Sequence, residues 1–202
     1  MPSTSKARRF SADRNEVKDL GTNIQLPAGG KRGVKMTLEE AIKTAIEYEI
    51  KICAVYREAE AAVSDEAGKR IFEALGNDEQ HHIDYLRHTL QQLKDTGKID
   101  PAKLESAIPV PATIDPEAAK VKKLVAKEFH GARKQMLSRA LKVEIETSDF
   151  YQKMVNELTA QGRALFARFL EIENNHIDAV RFELDYMSKT GYWFDLKEFD
   201  ME

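Results

Sequence analysis

An internal repeat constrains the fold of this chain more than any other feature of its sequence. Three motifs of the first half recur, in the same order, in the second half. The matches are Glu49-x6-Tyr56 with Glu144-x6-Tyr151, Gly68-x3-Phe72-x6-Glu79 with Gly162-x3-Phe166-x6-Glu173, and Glu79-x2-His82 with Glu173-x2-His176. The Glu-to-Glu spacing differs by one loop residue, so matched residues are expected to lie at the same depth in two similar units.

The positions of the prolines leave room for long helices in both halves. All six prolines lie at positions 2 and 27 or between residues 101 and 116. Residues 37–95 and 118–190 therefore lack the residue that most often breaks a helix. Apolar residues recur on one stripe in four segments of these intervals. The pattern predicts an all-α, antiparallel four-helix bundle, made of two helical hairpins with a long crossover between them.

Capping residues indicate where these helices begin and end. The Thr-x-x-Glu pattern at Thr37 has the form of a capping box for the first helix, and Asp65 or its neighbour Ser64 can cap the second. Asp115-Pro116 offers the third helix an N-cap followed by a proline at the first helical position. The second and fourth helices are expected to end at glycines, near Gly97 and Gly191.

The first 35 residues differ in charge from the rest of the chain. They carry eight Lys and Arg against three Asp and Glu, a net charge of +5, while the whole chain has a net charge of −3. The remainder therefore has a net charge of −8. We expect residues 1–35 to form a basic, mobile arm and residues 36–202 to form the bundle with a C-terminal tail. Because the basic residues are scattered and not interleaved with aromatic ones, no nucleic-acid partner is expected.

Two further features bear on the cellular compartment. The sequence has no run of about 18 apolar residues and no signal-peptide core, so no membrane partner is expected and the predicted location is cytoplasmic. It has a single cysteine, Cys53. One cysteine excludes a disulfide framework and a metal site built from cysteine pairs, and it favours a reducing compartment.

Six acidic and histidine residues lie on the stripes that are predicted to be buried. They are Glu49, Glu79, His82, Glu144, Glu173 and His176. An ionised carboxylate is costly to isolate from water, and four that face one another also repel. Two divalent cations would balance the four negative charges, so the sequence predicts a dinuclear metal centre. The alternative is that the six are surface residues on wrongly assigned faces, or a metal-free hydrogen-bonded network.

The types of side chain narrow the choice of metal. A Glu and a His three residues apart lie on the same face of a helix, so each Glu-x-x-His pair can present an oxygen and an imidazole nitrogen to the bundle axis. Because the set contains no sulfur, it favours two iron ions, with manganese next, and zinc as an occupant without redox function.

Further side chains are candidates for roles around the metal. Tyr56 and Tyr151 lie two turns from Glu49 and Glu144, and they either donate hydrogen bonds to ligand carboxylates or pack as core tyrosines. Asp78 can accept a hydrogen bond from a ligand imidazole on an adjacent helix. Its counterpart in the repeat is Ile172, so that role would be asymmetric. We expect His81, His88 and His130 to be solvated or interfacial, and Asp84, Arg87, Asp178 and Arg181 to pair across helices.

The pattern Glu49…Glu79-x-x-His82…Glu144…Glu173-x-x-His176 resembles that of the ferritin-like di-iron carboxylate superfamily. The hairpin style and the stretch from Tyr186 to Asp195 are similar to rubrerythrin, and the resemblance covers about residues 37–195. It implies a ferritin-like fold in which Glu49 and Glu144 are metal ligands from the first and third helices. The two Glu-x-x-His pairs would be ligands from the second and fourth helices.

Two positions depart from the rubrerythrin pattern. Rubrerythrins usually add a carboxylate three residues after the third-helix glutamate, and this position holds Thr147. They also commonly carry a rubredoxin domain with paired cysteine ligands, which Cys53 alone cannot supply. Both departures weaken the peroxidase assignment more than they weaken the metal site.

The resemblance implies a redox enzyme that reduces H2O2 or O2 with electrons from an external donor protein. A ferroxidase or iron-storage protein is the alternative, and a metal-free helical interaction module is the least favoured hypothesis. We expect a homodimer or a higher homo-oligomer. The sequence leaves open whether each site is formed within one chain or by exchange of a hairpin between two chains.

Overall fold

Four α-helices make up most of the part of the chain that the structure describes. The computed structural model describes residues 36–99, 104, 106, 108 and 130–194. The helices are α1 (Leu38–Ala62), α2 (Glu66–Thr96), α3 (His130–Glu157) and α4 (Ala160–Thr190). The described residues contain no β-strand. The predicted all-α fold is confirmed.

The expected caps of α1, α2 and α4 are present. The Thr37 hydroxyl accepts a hydrogen bond from the backbone N–H of Glu40 at 3.2 Å, and the Glu40 carboxylate accepts one from the backbone N–H of Thr37 at 2.9 Å. Asp65 accepts hydrogen bonds from two backbone N–H groups in the first turn of α2. Gly97 and Gly191 follow α2 and α4 with φ of 69° and 83°, a left-handed conformation that glycine adopts without strain.

The helices pair as two hairpins. α1 packs along α2, α3 packs along α4, and α1 also packs against α3. The short turns within each pair make the partners antiparallel, so the predicted hairpins are confirmed. None of the four described helices has the length and apolar character that crossing a bilayer requires. The expected cap at Asp115-Pro116, the arm at residues 1–35, the tail from residue 195 and most of the crossover lie outside the described residues.

The interior consists of two apolar clusters. One surrounds Phe72 and Leu137 and includes Trp193 near the end of the described chain. The other surrounds Phe166 and Phe169. Along each helix, the members of one cluster and the members of the other lie on either side of a short polar segment. The fold therefore holds a polar layer between two apolar layers, and this layer contains the predicted metal ligands.

The two glycines of the repeat allow close packing beside these clusters. A Cβ atom on Gly68 would lie 2.5 Å from the Trp193 ring, and one on Gly162 would lie 3.0 Å from the Leu158 side chain. A side chain at Gly68 would therefore displace the Trp193 ring, whereas one at Gly162 would require only a small shift of Leu158. Trp193 in turn packs edge-on against Phe72, with ring centroids 5.3 Å apart, and extends the first cluster beyond α4.

The predicted cross-helix ion pairs of Asp84, Arg87, Asp178 and Arg181 are wrong. Each arginine lies 3.6 Å from the aspartate three residues before it on its own helix. All four side chains are more than half exposed, and neighbours three residues apart on a helix surface meet without help from another helix. Such exposed pairs contribute little to stability.

Candidate metal centre

The six predicted ligands meet in the polar layer between the two apolar clusters. Each of them has 0% of its surface exposed. α1 and α3 each supply one glutamate, and α2 and α4 each supply a Glu-x-x-His pair. The stripe that buries Leu and Phe in each helix also buries these groups, because they occupy the same helical face. The alternative that the six are surface residues on wrongly assigned helix faces is therefore wrong.

The site contains three groups of candidate ligand residues. Within each group, one donor atom from every member lies within 4.8 Å of the others. The two groups of four are Glu49, Glu79, His82 and Glu173, and Glu79, Glu144, Glu173 and His176, and the one group of three is Asp78, His82 and His176. Glu79 and Glu173 belong to both groups of four, which are the two ligand groups considered below. The buried carboxylates and imidazoles could therefore hold metal ions.

Both imidazoles direct the same ring atom at the carboxylates. Nδ1 of His82 lies 2.9 Å from Glu79 Oε2, 3.3 Å from Glu49 Oε2 and 3.5 Å from Glu173 Oε1. Nδ1 of His176 lies 2.7 Å from Glu79 Oε1 and 3.7 Å from Glu144 Oε1. The two rings are nearly parallel, at 13°, with centroids 5.5 Å apart. Nδ1 is therefore the atom that each histidine can offer to a metal.

The two tyrosines connect the hairpins at the site. The Tyr56 hydroxyl on α1 donates a hydrogen bond to Glu144 on α3, and the Tyr151 hydroxyl on α3 donates one to Glu49 on α1. Burial raises the pKa of both phenols, and the carboxylate that each one faces raises it further. Both tyrosines therefore remain protonated donors. Each orients one carboxylate of the opposite hairpin.

Asp78 supports one of the two imidazoles. Its Oδ2 atom lies 2.9 Å from Nε2 of His176 and accepts a hydrogen bond from the Ser106 hydroxyl at 2.5 Å. The corresponding distance from Asp78 to Nε2 of His82 is 3.9 Å, too long for a hydrogen bond. Asp78 thus reaches an imidazole on another helix, as the sequence predicts. Ser106 was not predicted, because it lies in the crossover, where no periodic pattern marks a position.

Buried polar atoms without a hydrogen-bond partner concentrate at this site. Among the described residues they include Glu79 Oε1, His82 Nε2, Glu144 Oε2, both carboxylate oxygens of Glu173, and His176 Nδ1. The 2.7 Å contact between His176 Nδ1 and Glu79 Oε1 is close but lacks the angle of a hydrogen bond, so it is an electrostatic contact. Buried polar atoms are otherwise almost always paired. Oxygen and nitrogen donors facing one another fit divalent cations.

Of the four glutamates, Glu79 is the one whose surroundings favour the charged form. Burial alone would raise its pKa, but the positive imidazoles of His176 and His82 outweigh burial and lower it. Conversely, burial would lower the pKa of the two histidines, but Glu79 and its neighbours raise it, to about 10 for His82 and well above the usual range for His176. Without a metal, Glu79 is therefore a carboxylate held between two imidazolium groups.

The other three glutamates disfavour their charged form. Burial, followed by repulsion from Glu79, raises the pKa of Glu49 to about 8 and that of Glu144 to about 7. Burial and the charges of Glu49 and Glu79 raise the pKa of Glu173 well above its usual range. Near neutral pH the three therefore bind protons unless cations take their place. Metal binding and proton release are coupled at such a site.

The remaining candidates lie outside the two ligand groups. His81 and His88 are exposed, in agreement with the prediction, and the side chain of His130 lies outside the described residues. Thr147 is buried, and its hydroxyl donates a hydrogen bond to the Val143 carbonyl at 2.9 Å. Cys53 is buried with its sulfur 3.5 Å from the Gly76 carbonyl, and burial raises the pKa of its thiol.

Comparisons of the chain with protein-family models, with curated proteins and with solved structures found no match. The centre itself is a buried, oxygen-rich site with two imidazoles, and all four helices contribute ligands to it.

Proposed function

We propose that this chain is a di-iron carboxylate protein, and that it acts as a redox enzyme that reduces H2O2 or O2 in the manner of a rubrerythrin-like peroxidase or oxidase. One observation carries the proposal: two fully buried groups of four oxygen and nitrogen donors share Glu79 and Glu173. Shared carboxylates suit two metal ions side by side. Donors of this hard and intermediate type suit iron first and manganese second.

The six ligand residues can be assigned to two metal positions. Glu49 and His82 would hold one iron, Glu144 and His176 the other, and the shared Glu79 and Glu173 would contact both. We name these the His82 position and the His176 position. Four carboxylates balance the charge of two divalent ions, which accounts for acidic groups that otherwise require protons. The nitrogen donor would be Nδ1 in both cases, since this atom faces the carboxylates.

With ferrous ions bound, the site would supply the two electrons that, with two protons, reduce H2O2 to two waters. An external electron donor protein would supply the two electrons for the next turnover. The chain's own residues enclose the site, orient the carboxylates and hold protons near it. Tyr56 and Tyr151 each hold a proton at the hydroxyl oxygen, directed at a ligand carboxylate. The flanking apolar clusters keep bulk water away, which strengthens every electrostatic interaction inside.

A ferroxidase is the second candidate, and the single cysteine favours it. The sequence has one cysteine, so these residues cannot form a paired-cysteine electron-transfer site. A ferroxidase takes its electrons from substrate Fe2+ and needs no donor protein. Iron storage would require a hollow assembly of many chains, so the mass of the assembly separates storage from a small oligomeric enzyme.

Anaerobic loading with Fe2+, followed by separate mixing with H2O2 and with O2, tests both candidates. We expect two iron ions per chain and fast oxidation by at least one oxidant. Repeated turnover with peroxide and a reductant supports the peroxidase. Fast reaction with O2 and release of ferric iron supports the ferroxidase.

Two substitutions provide the control for this experiment. Glu79→Ala and His176→Ala should each abolish iron-dependent turnover and leave the helical circular dichroism largely unchanged. Asp84→Ala, on the exposed face of α2, should behave as the native protein. Full activity in Glu79→Ala or His176→Ala would refute the proposal, as would a native chain that binds no iron.

A further inference from the structure

We propose that the two metal positions are unequal, and that the His176 position fills first because Asp78 fixes its imidazole. This inference rests on the proposed metal centre and deepens it. It concerns the order in which the chain takes up metal and the residue that sets this order. The repeat in the sequence would make the two positions equivalent.

The first step of the argument is the contact between Asp78 and His176. Asp78 Oδ2 lies 2.9 Å from Nε2, while Nδ1 of the same ring faces Glu79 and Glu144. A hydrogen bond from Nε2–H to a carboxylate leaves the lone pair on Nδ1 once the ring is neutral, and it makes that nitrogen a stronger ligand. Asp78 therefore holds this imidazole in the tautomer and orientation that a metal requires.

Asp78 is itself held from the crossover. The Ser106 hydroxyl donates to the same Oδ2 atom at 2.5 Å and in turn accepts a hydrogen bond from the backbone N–H of Ile108 at 3.1 Å. Asp78 is 2% exposed, so bulk solvent does not compete for these bonds. A segment outside the four helices thus anchors the support of one imidazole.

The other imidazole lacks this support. The counterpart of Asp78 in the repeat is Ile172, which is buried and has no acceptor in its side chain. Nε2 of His82 has no hydrogen-bond partner among the described residues, and Asp78 Oδ2 is 3.9 Å away from it. The ring of His82 packs against Phe169, with centroids 5.4 Å apart, and its hydrogen bonds, to Glu79 and Glu49, are made through Nδ1 alone.

The expected difference in metal affinity between the two positions can be taken from other metal sites. Losing the hydrogen-bond partner of a ligand histidine typically lowers metal affinity by about 10-fold to 100-fold. The His176 position has such a partner, and the His82 position has none among the residues that the structure describes. We therefore expect the first metal to bind at the His176 position, about 10-fold to 100-fold more tightly than a metal at the His82 position.

Titration of the full chain with Co2+ alone tests the inference. Calorimetry measures the binding steps, and proton NMR follows the paramagnetically shifted imidazole N–H signals. At one equivalent we expect one imidazole signal, absent from His176→Gln, and a second signal only as the second equivalent binds. Two signals that grow together from the start would overturn the inference. This readout separates unequal positions from simple repulsion between two cations, which also weakens the second step.

Asp78→Asn provides the decisive variant. It should weaken the first binding step by about 10-fold to 100-fold, and the two signals should then grow together. Asp84→Asn, an exposed change on the same helix, should leave both steps as in the native protein. If Asp78→Asn does not fold, Ser106→Ala serves instead, and it should weaken the first step several-fold. An unchanged first step in the folded variant tested would overturn the inference.

Failure of this inference can be distinguished from failure of the proposed function. A native chain that binds no Co2+ and no Fe2+ would remove the metal centre altogether. A chain that binds two Co2+ ions at equivalent positions would keep the centre and remove only the role of Asp78.

Discussion

The two hairpins share a repeat, but its two matched glutamates, Glu79 and Glu173, have different surroundings. Glu79 and Glu173 occupy matched positions on α2 and α4. Both imidazole Nδ1 atoms lie within 2.9 Å of a Glu79 oxygen, whereas neither oxygen of Glu173 has a hydrogen-bond partner among the described residues. The pKa of Glu79 is lowered and that of Glu173 is raised. Matched residues therefore hold different charges in the metal-free protein.

This difference shows which properties a repeat can fix. The repeat fixes the helix, the depth and the face of each ligand, because these depend on spacing alone. It does not fix the protonation state, which depends on neighbours that need not be repeated. Asp78 and Ile172, one residue before the two glutamates, are the nearest example.

The largest expected effect is a loss of stability of the metal-free protein as the pH rises. The folded pKa is about 8 for Glu49 and about 7 for Glu144, both above the unfolded value of about 4.3. Groups with a raised folded pKa stabilise the fold at low pH, and they lose this contribution as the pH rises through the folded pKa. If the folded state binds one proton more than the unfolded state from pH 5 to pH 8, the free energy of unfolding falls by about 1.4 kcal/mol per pH unit, or about 4 kcal/mol in total.

The histidines act in the same direction, whereas Glu79 acts in the opposite direction only below about pH 4.3. Chemical denaturation of chelator-treated protein between pH 5 and pH 8 measures the slope. The Glu49→Gln variant is the control and should show a shallower slope. Stability that rises with pH in the metal-free protein would contradict the assigned charge states.

The second prediction compares how substitutions of the matched residues Glu79 and Glu173 change the stability of the metal-free protein. Glu79→Gln removes the carboxylate from between two imidazolium groups, so it should destabilise the metal-free protein at pH 7 by about 3 kcal/mol. Glu173→Gln replaces a carboxyl that is already protonated, so it should change stability by less than about 1 kcal/mol. The free energy of unfolding of each variant, measured with chelator present, checks this difference.

The stabilisation gained on metal binding provides the control for these two variants. Both glutamates belong to both ligand groups, so both variants should lose the stabilisation that Fe2+ or Mn2+ gives the native protein. Equal destabilisation of the two metal-free variants would show that the hairpins provide equivalent environments. It would also remove the contrast between Glu79 and Glu173.

Much of the fold and the ligand set could be predicted from the sequence. Buried stripes and caps are local patterns, and the glutamates and histidines on the stripes stand out because charged residues rarely occupy such positions. The cap at Thr37 and the helix ends at Gly97 and Gly191 follow from the same local rules.

What could not be predicted depends on contacts between elements. Spacing places Tyr56 on the line of Glu49, but the hydroxyl bonds to Glu144 across the bundle. Similarly, no periodic pattern connects Ser106 with Asp78, although the two side chains are hydrogen bonded. Such pairings depend on how two helices, or a helix and a crossover, are positioned relative to each other.

The smallest effect concerns the helix caps at the two hairpin turns, where the repeat again places matched residues. Asp65 caps α2 through hydrogen bonds from two backbone N–H groups, whereas its counterpart Thr159 begins α4 without a side-chain hydrogen bond. Asp65→Ala should therefore cost about 1 kcal/mol in the free energy of unfolding, and Thr159→Ala only a few tenths. Equal losses would mean that Thr159 caps α4 in solution. A gain from Thr159→Asp would show that the second turn can accept the stronger cap of the first.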